Sequence, residues 1–585
     1  MMFDEAELKK IEREKEKWEQ GTLKRALERF GAKESPNRFY TPLDLQRHEF
    51  MEKVGFPGEY PFTAGIYPSA VPGSGPQTGG GSILGGGGLV RSGQYSGYGT
   101  AEDSRDYYLS EAARGRTAGP NIAFDLPTQC GYDSDDPSAR GEVGKVGMAV
   151  DTLRDMEVIY EAFTGPRDLD KIASNFTINA PANVIIAMYA ALADKRGIAL
   201  AKLRGTPQND ILKEFVARGT YIFPPRHSMR MTRDSIVWCT EHMPNLNTIS
   251  ICGYHMREAG ATGPQALAFT LANAIAYVQL GVDAGLKVDD FVGRLTFLSL
   301  SGSMEMFKEI ALQRAARRIW AKIMKEGFGS KDPRNWLYRS NIWGNQGYYS
   351  CTAQRPLNNL ARAVIGGVAG ALSGGNPSVT PPYDEALGLR WSLEAVQLAE
   401  DARRILQYEA RLCDVIDPLS GSYYVEALTD QMEREARDII DKIDALGGAV
   451  VAIEKGFYQQ EIARSAYHYQ KEVETGQRTI VGVNRFTGEN ELEVLTSRLV
   501  AHPYDPARRA EAEKRQLANL ARVKSERDDA QVKACLRQLE DAARDEMVNL
   551  LPLLLEAVKS YATVGEMCGV LRRVFGEYQA FTMGA

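Results

Sequence analysis

The chain is poor in the residues that build metal and redox centres. It has six histidines among 585 residues and no HExxH or comparable cluster, which argues against a histidine-rich metal site. Seven cysteines (Cys130, Cys239, Cys252, Cys351, Cys413, Cys535 and Cys568) are scattered, odd in number and without a CxxC pair. They indicate neither zinc nor a disulfide framework and read as reduced thiols, as in a cytoplasmic protein. No metal ligand is assigned. Charge of one sign is lacking too: 70 Lys and Arg against 76 Asp and Glu leave a net −6. That field excludes nucleic acid or an anionic membrane as the main partner. No apolar run is read as approaching the roughly 18 residues of a membrane span. Residues 1–19 are charged throughout and lack the apolar core of a secretory signal.

What is present is an ordinary globular composition, 44% hydrophobic and 25% charged. Over residues 4–31, Leu8, Ile11, Trp18, Leu23 and Leu27 recur at helical spacing. They predict a charged amphipathic helix, either a solvated surface helix or one that docks a partner. Residues 32–66 carry Pro36, Pro42, Pro57 and Pro61 and read as extended. In residues 71–99 the run Gly85 to Gly88 can be neither a strand interior nor a stable helix. This segment is either a linker or a wall where a ligand passes close to the backbone. It lacks the Lys-Ser/Thr helix opening of a phosphate loop.

From about residue 90 to 390 strand and helix patterns alternate. The expected strands are Gly93–Gly99, Asn121–Asp125, Phe176–Asn179, Tyr221–Phe223, Thr248–Cys252, Leu295–Leu300, Trp336–Ser340 and a weak one at Ser378–Thr380. Helical stretches such as Pro264–Ala284 and Met304–Lys325 separate them. Eight strands with intervening helices over about 300 residues suit one (β/α)₈ barrel of the TIM type. The expected class is therefore α/β, with an N-terminal helical and extended arm (1–60), the barrel (61–395) and a mostly helical C-terminal region (396–585). In the last region the strong helical stretches are 391–413, 428–444, 505–546 and 547–560. Polar residues gather just past the expected strand ends, where barrels carry their chemistry: Tyr95, Asp125, Asn179, Gln208, His255, Ser299 and Asn341. His255 is the best placed histidine. A β-branched run, Thr248 to Ile251, delivers it just before a helix. A core histidine held by a backbone bond would fit the same pattern.

Several long motifs then carry a resemblance. They are Gly97-Tyr-Gly-Thr-Ala-Glu-Asp-Ser104, Ala123-Phe-Asp-Leu-Pro-Thr128, Gly131-Tyr-Asp-Ser-Asp135, Gln208-Asn-Asp-Ile-Leu-Lys-Glu214 and Arg218-Gly-Thr-Tyr-Ile-Phe-Pro-Pro225. Ile251-Cys-Gly-Tyr-His-Met256, Asp417-Pro-Leu-Ser-Gly-Ser-Tyr-Tyr424 and Phe575-Gly-Glu-Tyr578 follow. With these the chain resembles the catalytic subunit of the adenosylcobalamin-dependent acyl-CoA mutases, the methylmalonyl-CoA mutase family, from about Tyr60 onward. The resemblance implies an isomerase that moves a carbonyl-CoA group between neighbouring carbons by radical chemistry. The cofactor supplies the radical, and the protein binds, orients and excludes water.

It also implies residue roles. His255 resembles the histidine that hydrogen-bonds the thioester carbonyl, and a donor there stabilises developing charge. Tyr95 resembles the tyrosine over the reacting carbon, which also meets the adenosyl group. Gln208 resembles an active-site glutamine. Arg218 resembles the arginine that pairs with the free carboxylate of a dicarboxylyl-CoA, for which a guanidinium is suited. Tyr67, Ser69, Gln129 and Asn179 are further expected substrate contacts. Asp125 and Glu385 are expected on the cofactor side, Glu385 at the adenosyl ribose. Departures surround this core: Gln129 in place of a histidine, no His-Ser-Gln around Trp343 to Gln346, Pro381 where an asparagine is expected, and the glycine-rich stretch. They suggest altered, bulkier acyl specificity, such as a substituted succinyl-CoA. A monocarboxylyl-CoA such as isobutyryl-CoA or 2-hydroxyisobutyryl-CoA is the alternative substrate, and an inactive barrel serving as a scaffold is the alternative of another class. The sequence also lacks the Asp-x-His-x-x-Gly motif of a fused cobalamin domain. A separate small cobalamin-binding subunit is therefore expected, in a hetero-oligomer of the α2β2 type.

Overall fold

The computed structural model describes residues 5–25, 28, 40–45, 49–67, 94–96, 99–113, 115, 118–298, 300, 302–341, 348–374, 382–387, 392–488 and 506–579. Seven short strands are seen among them: β1 (Gln94–Ser96), β2 (Pro120–Ala123), β3 (Ser174–Thr177), β4 (Gly205–Pro207), β5 (Ile249–Cys252), β6 (Leu295–Leu298) and β7 (Ser340–Asn341). All pair in parallel and in chain order, as β1-β2-β3-β4 and β5-β6-β7. A parallel bridge from Gly205 to Leu246 continues the ladder between the two sets. Asn247 N–H donates to the Gly205 carbonyl and Ser250 N–H to the Gln208 carbonyl there, each at 2.9 Å. Helices cross between successive strands, as parallel pairing demands. The architecture is thus α/β with a sequentially ordered parallel sheet. The expected eighth strand, Ser378–Thr380, lies outside the described residues, as do most of the glycine-rich stretch, Pro381 and Trp343 to Gln346.

Local chemistry explains most of the helices. Thr152, Thr262 and Thr563 each open one with a capping box, closed by Asp155, Gln265 and Glu566 respectively. Pro264 sits in the first turn of Gly263–Asp283, where its missing N–H costs nothing. That helix corrects the reading of apolar runs: by length and composition it could cross a membrane. However, 67% of its most apolar window is buried, and it packs against β5 and the helix Tyr423–Leu446. It is a core helix.

Two strand expectations need correction, and one strand was not expected. Tyr221–Phe223 is irregular, although Ile222 and Phe223 are buried. Tyr221 stacks on Phe215 with ring centroids 5.5 Å apart and meets the Tyr578 ring at 4.8 Å. The fourth strand is instead Gly205-Thr-Pro207, whose turn-like composition hides it. Gly205 lies against the Ser174 carbonyl, where any Cβ would collide. Pro333–Trp336 is a 3₁₀ turn, and the seventh strand begins only at Ser340. The single stretch expected at 505–546 is two helices, Pro506–Glu526 and Asp529–Ala543, the second capped by Asp528.

The C-terminal helices share the core of the strand region. Tyr423–Leu446 packs on Met306–Lys322, and Leu551–Lys559 packs on Ala182–Lys195. Buried Arg314 pairs with Glu426 (2.5 Å) and with Asp417 across the first of these contacts. The hydrophobic core runs without a break from Ala101 to Phe575.

Candidate active site

The strand ends at β2 to β5 converge on one polar cluster. Asp125 caps the short helix Leu126–Gln129, accepting from the Thr128 N–H at 3.0 Å and from the Gly144 N–H at 2.8 Å. Its buried carboxylate is committed to the main chain. Burial raises its pKa to about 6, against those hydrogen bonds. Its evident effect is to hold Gln129, at the end of that helix. The Gln129 amide donates to the Phe124 carbonyl (2.5 Å), and its oxygen accepts from Arg218 (2.5 Å).

Past β4, Gln208 N–H bonds the Phe176 carbonyl. Asn209 then takes a left-handed turn (φ 49°), a conformation its side chain tolerates. Glu214–Arg218 forms a single π-helical turn, closed by Gly219 at φ 85°. This turn presents the charges. Lys213 and Glu214 are fully buried 2.5 Å apart, and Lys213 also donates to Gln208 Oε1 at 2.6 Å. Asn179 donates to the same Gln208 oxygen (2.9 Å) and to Glu214 (2.6 Å). Thr220 donates to the other Glu214 oxygen through its hydroxyl (2.7 Å) and its N–H (2.9 Å). Burial opposes ionisation of Glu214, but Lys213 and Arg218 outweigh it and hold the carboxyl below its ordinary range. Arg218 lies 3.3 Å from Glu214, and its side chain keeps 22% exposure. Asp210 is the fourth charged group. It accepts from Tyr277 Oη (2.7 Å) and the Cys252 N–H (2.8 Å), and burial lifts its pKa to about 6 against the Lys213 charge. Of the four, only the Arg218 guanidinium is accessible to a ligand.

β5 delivers His255 in the first turn of the helix Tyr254–Glu258. Its Nδ1 lies 3.1 Å from Cys252 Sγ. Burial first, then the cations of Lys213 and Arg218, drive its pKa well below the ordinary value. The imidazole is therefore neutral at working pH, a hydrogen-bond donor without a charge. Arg257 anchors this helix through Glu309 at 2.6 Å, both nearly inaccessible.

The structure thus bonds Gln129 to Arg218 and Asn179 to Gln208 directly, with Glu214 linking the two pairs and His255 in the field of Lys213 and Arg218. Three expected residues make no such link. Asp125 is used by the backbone. Tyr67 is half-buried and senses Arg339. Glu385 begins a 3₁₀ turn near Cys351. Tyr95 lies in β1, paired with Asn121; its side chain and all of Ser69 lie outside the described residues. Lys213, Glu214, Asp210, Thr220 and Cys252 are neighbours in this cluster to which the sequence reading gave no role. The available signal was an adjacent Lys-Glu pair between Leu212 and Phe215.

Residues 32–577 match the family model described as methylmalonyl-CoA mutase. The chain belongs to the methylmalonyl-CoA mutase family. It is 39% identical over 547 residues to the 2-hydroxyisobutanoyl-CoA mutase large subunit of Aquincola tertiaricarbonis, covering 93% of this chain and 91% of that one. It is 41% identical over 487 residues to the methylmalonyl-CoA mutase of Escherichia coli, covering 83% and 65%. To the human mitochondrial methylmalonyl-CoA mutase it is 36% identical over 541 residues, covering 92% and 68%. The chain spans about two thirds of the length of these two methylmalonyl-CoA mutases. It is an enzyme, the catalytic chain of an acyl-CoA mutase, and cobalamin dependence comes with the family.

The donors present fit such a cofactor. Among the described residues no three His, Cys, Asp or Glu side chains gather as metal ligands. The cluster offers amides, a neutral imidazole and one guanidinium, which suit a thioester and a nucleoside rather than a bare metal ion.

Proposed function

We propose that this mutase isomerises a dicarboxylyl-CoA thioester of the methylmalonyl-CoA/succinyl-CoA type, with room for a bulkier substituted succinyl-CoA. The observation that carries the reading is Arg218, the one charged group of the cluster accessible to a ligand, held in direction by Gln129 and Glu214. It would pair with the free carboxylate of the acyl group. His255 would donate to the thioester carbonyl oxygen, with Gln208 and Asn179 beside the acyl group. Tyr95, Tyr67 and Ser69 would complete the substrate wall. Adenosylcobalamin, when bound, supplies the carbon-centred radical; Glu385 and Tyr95 would meet its adenosyl group. The neutral His255 suits this chemistry, because a neutral imidazole N–H is a far weaker acid than an imidazolium and stabilises charge by hydrogen bonding without transferring its proton.

A monocarboxylyl-CoA is the second reading. It is supported by the 2-hydroxyisobutanoyl-CoA mutase relative and by the fact that Glu214 and Gln129 already engage Arg218.

The seven ordered strands support closure into the eight-stranded barrel. The division at residues 60 and 395 is retained as a proposal. We also infer that a small subunit brings the cobalamin, in an α2β2-type assembly in the cytoplasm. The name of the large-subunit relative supports this. So does the charged helix Glu5–Trp18, none of whose residues is buried. The test is a thioester panel on the complex reconstituted with a cobalamin-binding small subunit. Methylmalonyl- or a substituted succinyl-CoA is expected to be turned over best. Arg218→Gln is expected to lower kcat/KM on it by about 100-fold, the worth of a charge-assisted pair. Turnover of isobutyryl- or 2-hydroxyisobutyryl-CoA alone would favour the second reading.

A further inference from the structure

Cys252 closes β5 three residues before His255 and is completely buried. Its sulfur lies 3.1 Å from Nδ1 of the imidazole. That sulfur–nitrogen contact is within hydrogen-bond distance, and one of the two atoms must carry the shared hydrogen. We propose that the Cys252 thiol donates its hydrogen to Nδ1 of His255 and so fixes the ring as the Nε2–H tautomer, which makes Cys252 a positioning residue for the mutase site. The inference rests on the reading of His255 as the thioester donor.

Two other arrangements are possible in principle. In the first, Nδ1–H donates to the sulfur. That spends the ring N–H on a weak sulfur acceptor and leaves the S–H without the ring acceptor beside it. It also turns the bare Nε2 lone pair toward the thioester oxygen, lone pair against lone pair. In the second, the proton moves to form a thiolate–imidazolium pair. Burial pushes the thiol up to about 12 while the ring falls well below its usual value, so both partners stay neutral. Neighbouring contacts fix the sulfur in place. The Cys252 N–H is bound to Asp210 at 2.8 Å, and Asp210 is held in turn by Tyr277 at 2.7 Å. The donor's position is thus set from the strand, and the ring's identity as donor is set by the thiol. A second group that selects a tautomer is the usual way a histidine's two nitrogens are told apart.

The test is direct, because the chain has only six histidines. With 15N-labelled histidine in the full chain, His255→Gln assigns the His255 signals. A protonated Nε2 and an unprotonated Nδ1 that carries the shift of a hydrogen-bond acceptor are expected. Cys252→Ser should preserve that pattern, since a hydroxyl donates in the same place. Cys252→Ala and the better-packed Cys252→Val should release Nδ1 and mix the tautomers. They should also lower kcat by about tenfold, the worth of one hydrogen bond, with little change in KM. A protonated Nδ1, a doubly protonated ring or an unchanged spectrum in both Cys252→Ala and Cys252→Val would overturn the proposal. Full turnover by His255→Gln would instead remove the reading of His255 as thioester donor and leave the tautomer result standing.

Discussion

Asp210, like Asp125, is a buried carboxyl of this site whose pKa is raised toward neutrality. Its folded pKa, about 6, exceeds the ordinary value of 3.8. The native state therefore binds this proton more tightly than the unfolded chain. Stability from this group is present below pH 3.8 and is lost as pH rises through 6, on the order of 3 kcal/mol in all. Asp210→Asn removes the titration. The melting temperature of the variant relative to wild type should climb between pH 4 and 7, and a constant offset would refute the assignment. At this scale the sequence assigned roles through contiguous motifs. Gln208, Arg218 and His255 stood out because their motifs are long and specific. Lys213 and Glu214 lie in the same motif as Gln208 but were given no role. A Lys-Glu step is ordinary on a helix surface, and only folding revealed that both side chains are inaccessible. Gln129 was expected to touch substrate; in the structure its oxygen accepts from Arg218 and its amide donates to the Phe124 carbonyl.

Elements differ in how much of their placement is local. The helix Tyr254–Glu258 has only five residues and cannot be stable by itself. Its anchor is the buried pair Arg257–Glu309, where Glu309 also accepts from the Ser303 N–H (2.9 Å) and hydroxyl (2.8 Å). Glu309→Gln leaves an uncompensated guanidinium and is expected to cost about 3 kcal/mol or more, read from the urea midpoint. The double variant Arg257→Met/Glu309→Leu should lose less than the single change. Equal losses would mean that the pair is not the anchor. Capping boxes at Thr152, Thr262 and Thr563 were readable as local signals, and long periodic helices such as Gly263–Asp283 were found almost to the residue. β4 was not, because glycine and proline mark turns in isolation. Its strand geometry comes from pairing with Ser174 to Phe176. Tyr221 to Phe223 erred the other way: an apolar, β-branched and aromatic run was buried by packing without joining a ladder.

Across the whole molecule the unbroken core predicts cooperative behaviour. Calorimetry should give one unfolding transition that includes the C-terminal helices, since the core joins Ala101 to Phe575. Long-range bonds such as Thr563 to Asp133 (2.6 Å) and Arg230 to the Ala543 carbonyl (2.6 Å) tie the ends together. A separate early transition for residues beyond 396 would contradict this and restore an independent C-terminal domain. By itself the sequence determined the family and the alternation of strand and helix, and it offered the candidate residues for the chemistry. Those properties are carried by local periodicity, caps and contiguous motifs. Only the tertiary structure decided that Arg218 is the accessible charge of a four-charge cluster, that Gln129 steers it, and that Cys252 faces the ring of His255. Gln129 and Arg218 are 89 residues apart, and the burial that sets each charge state is contributed by several strands at once. Such contacts arise from packing between distant segments, and no local pattern encodes them.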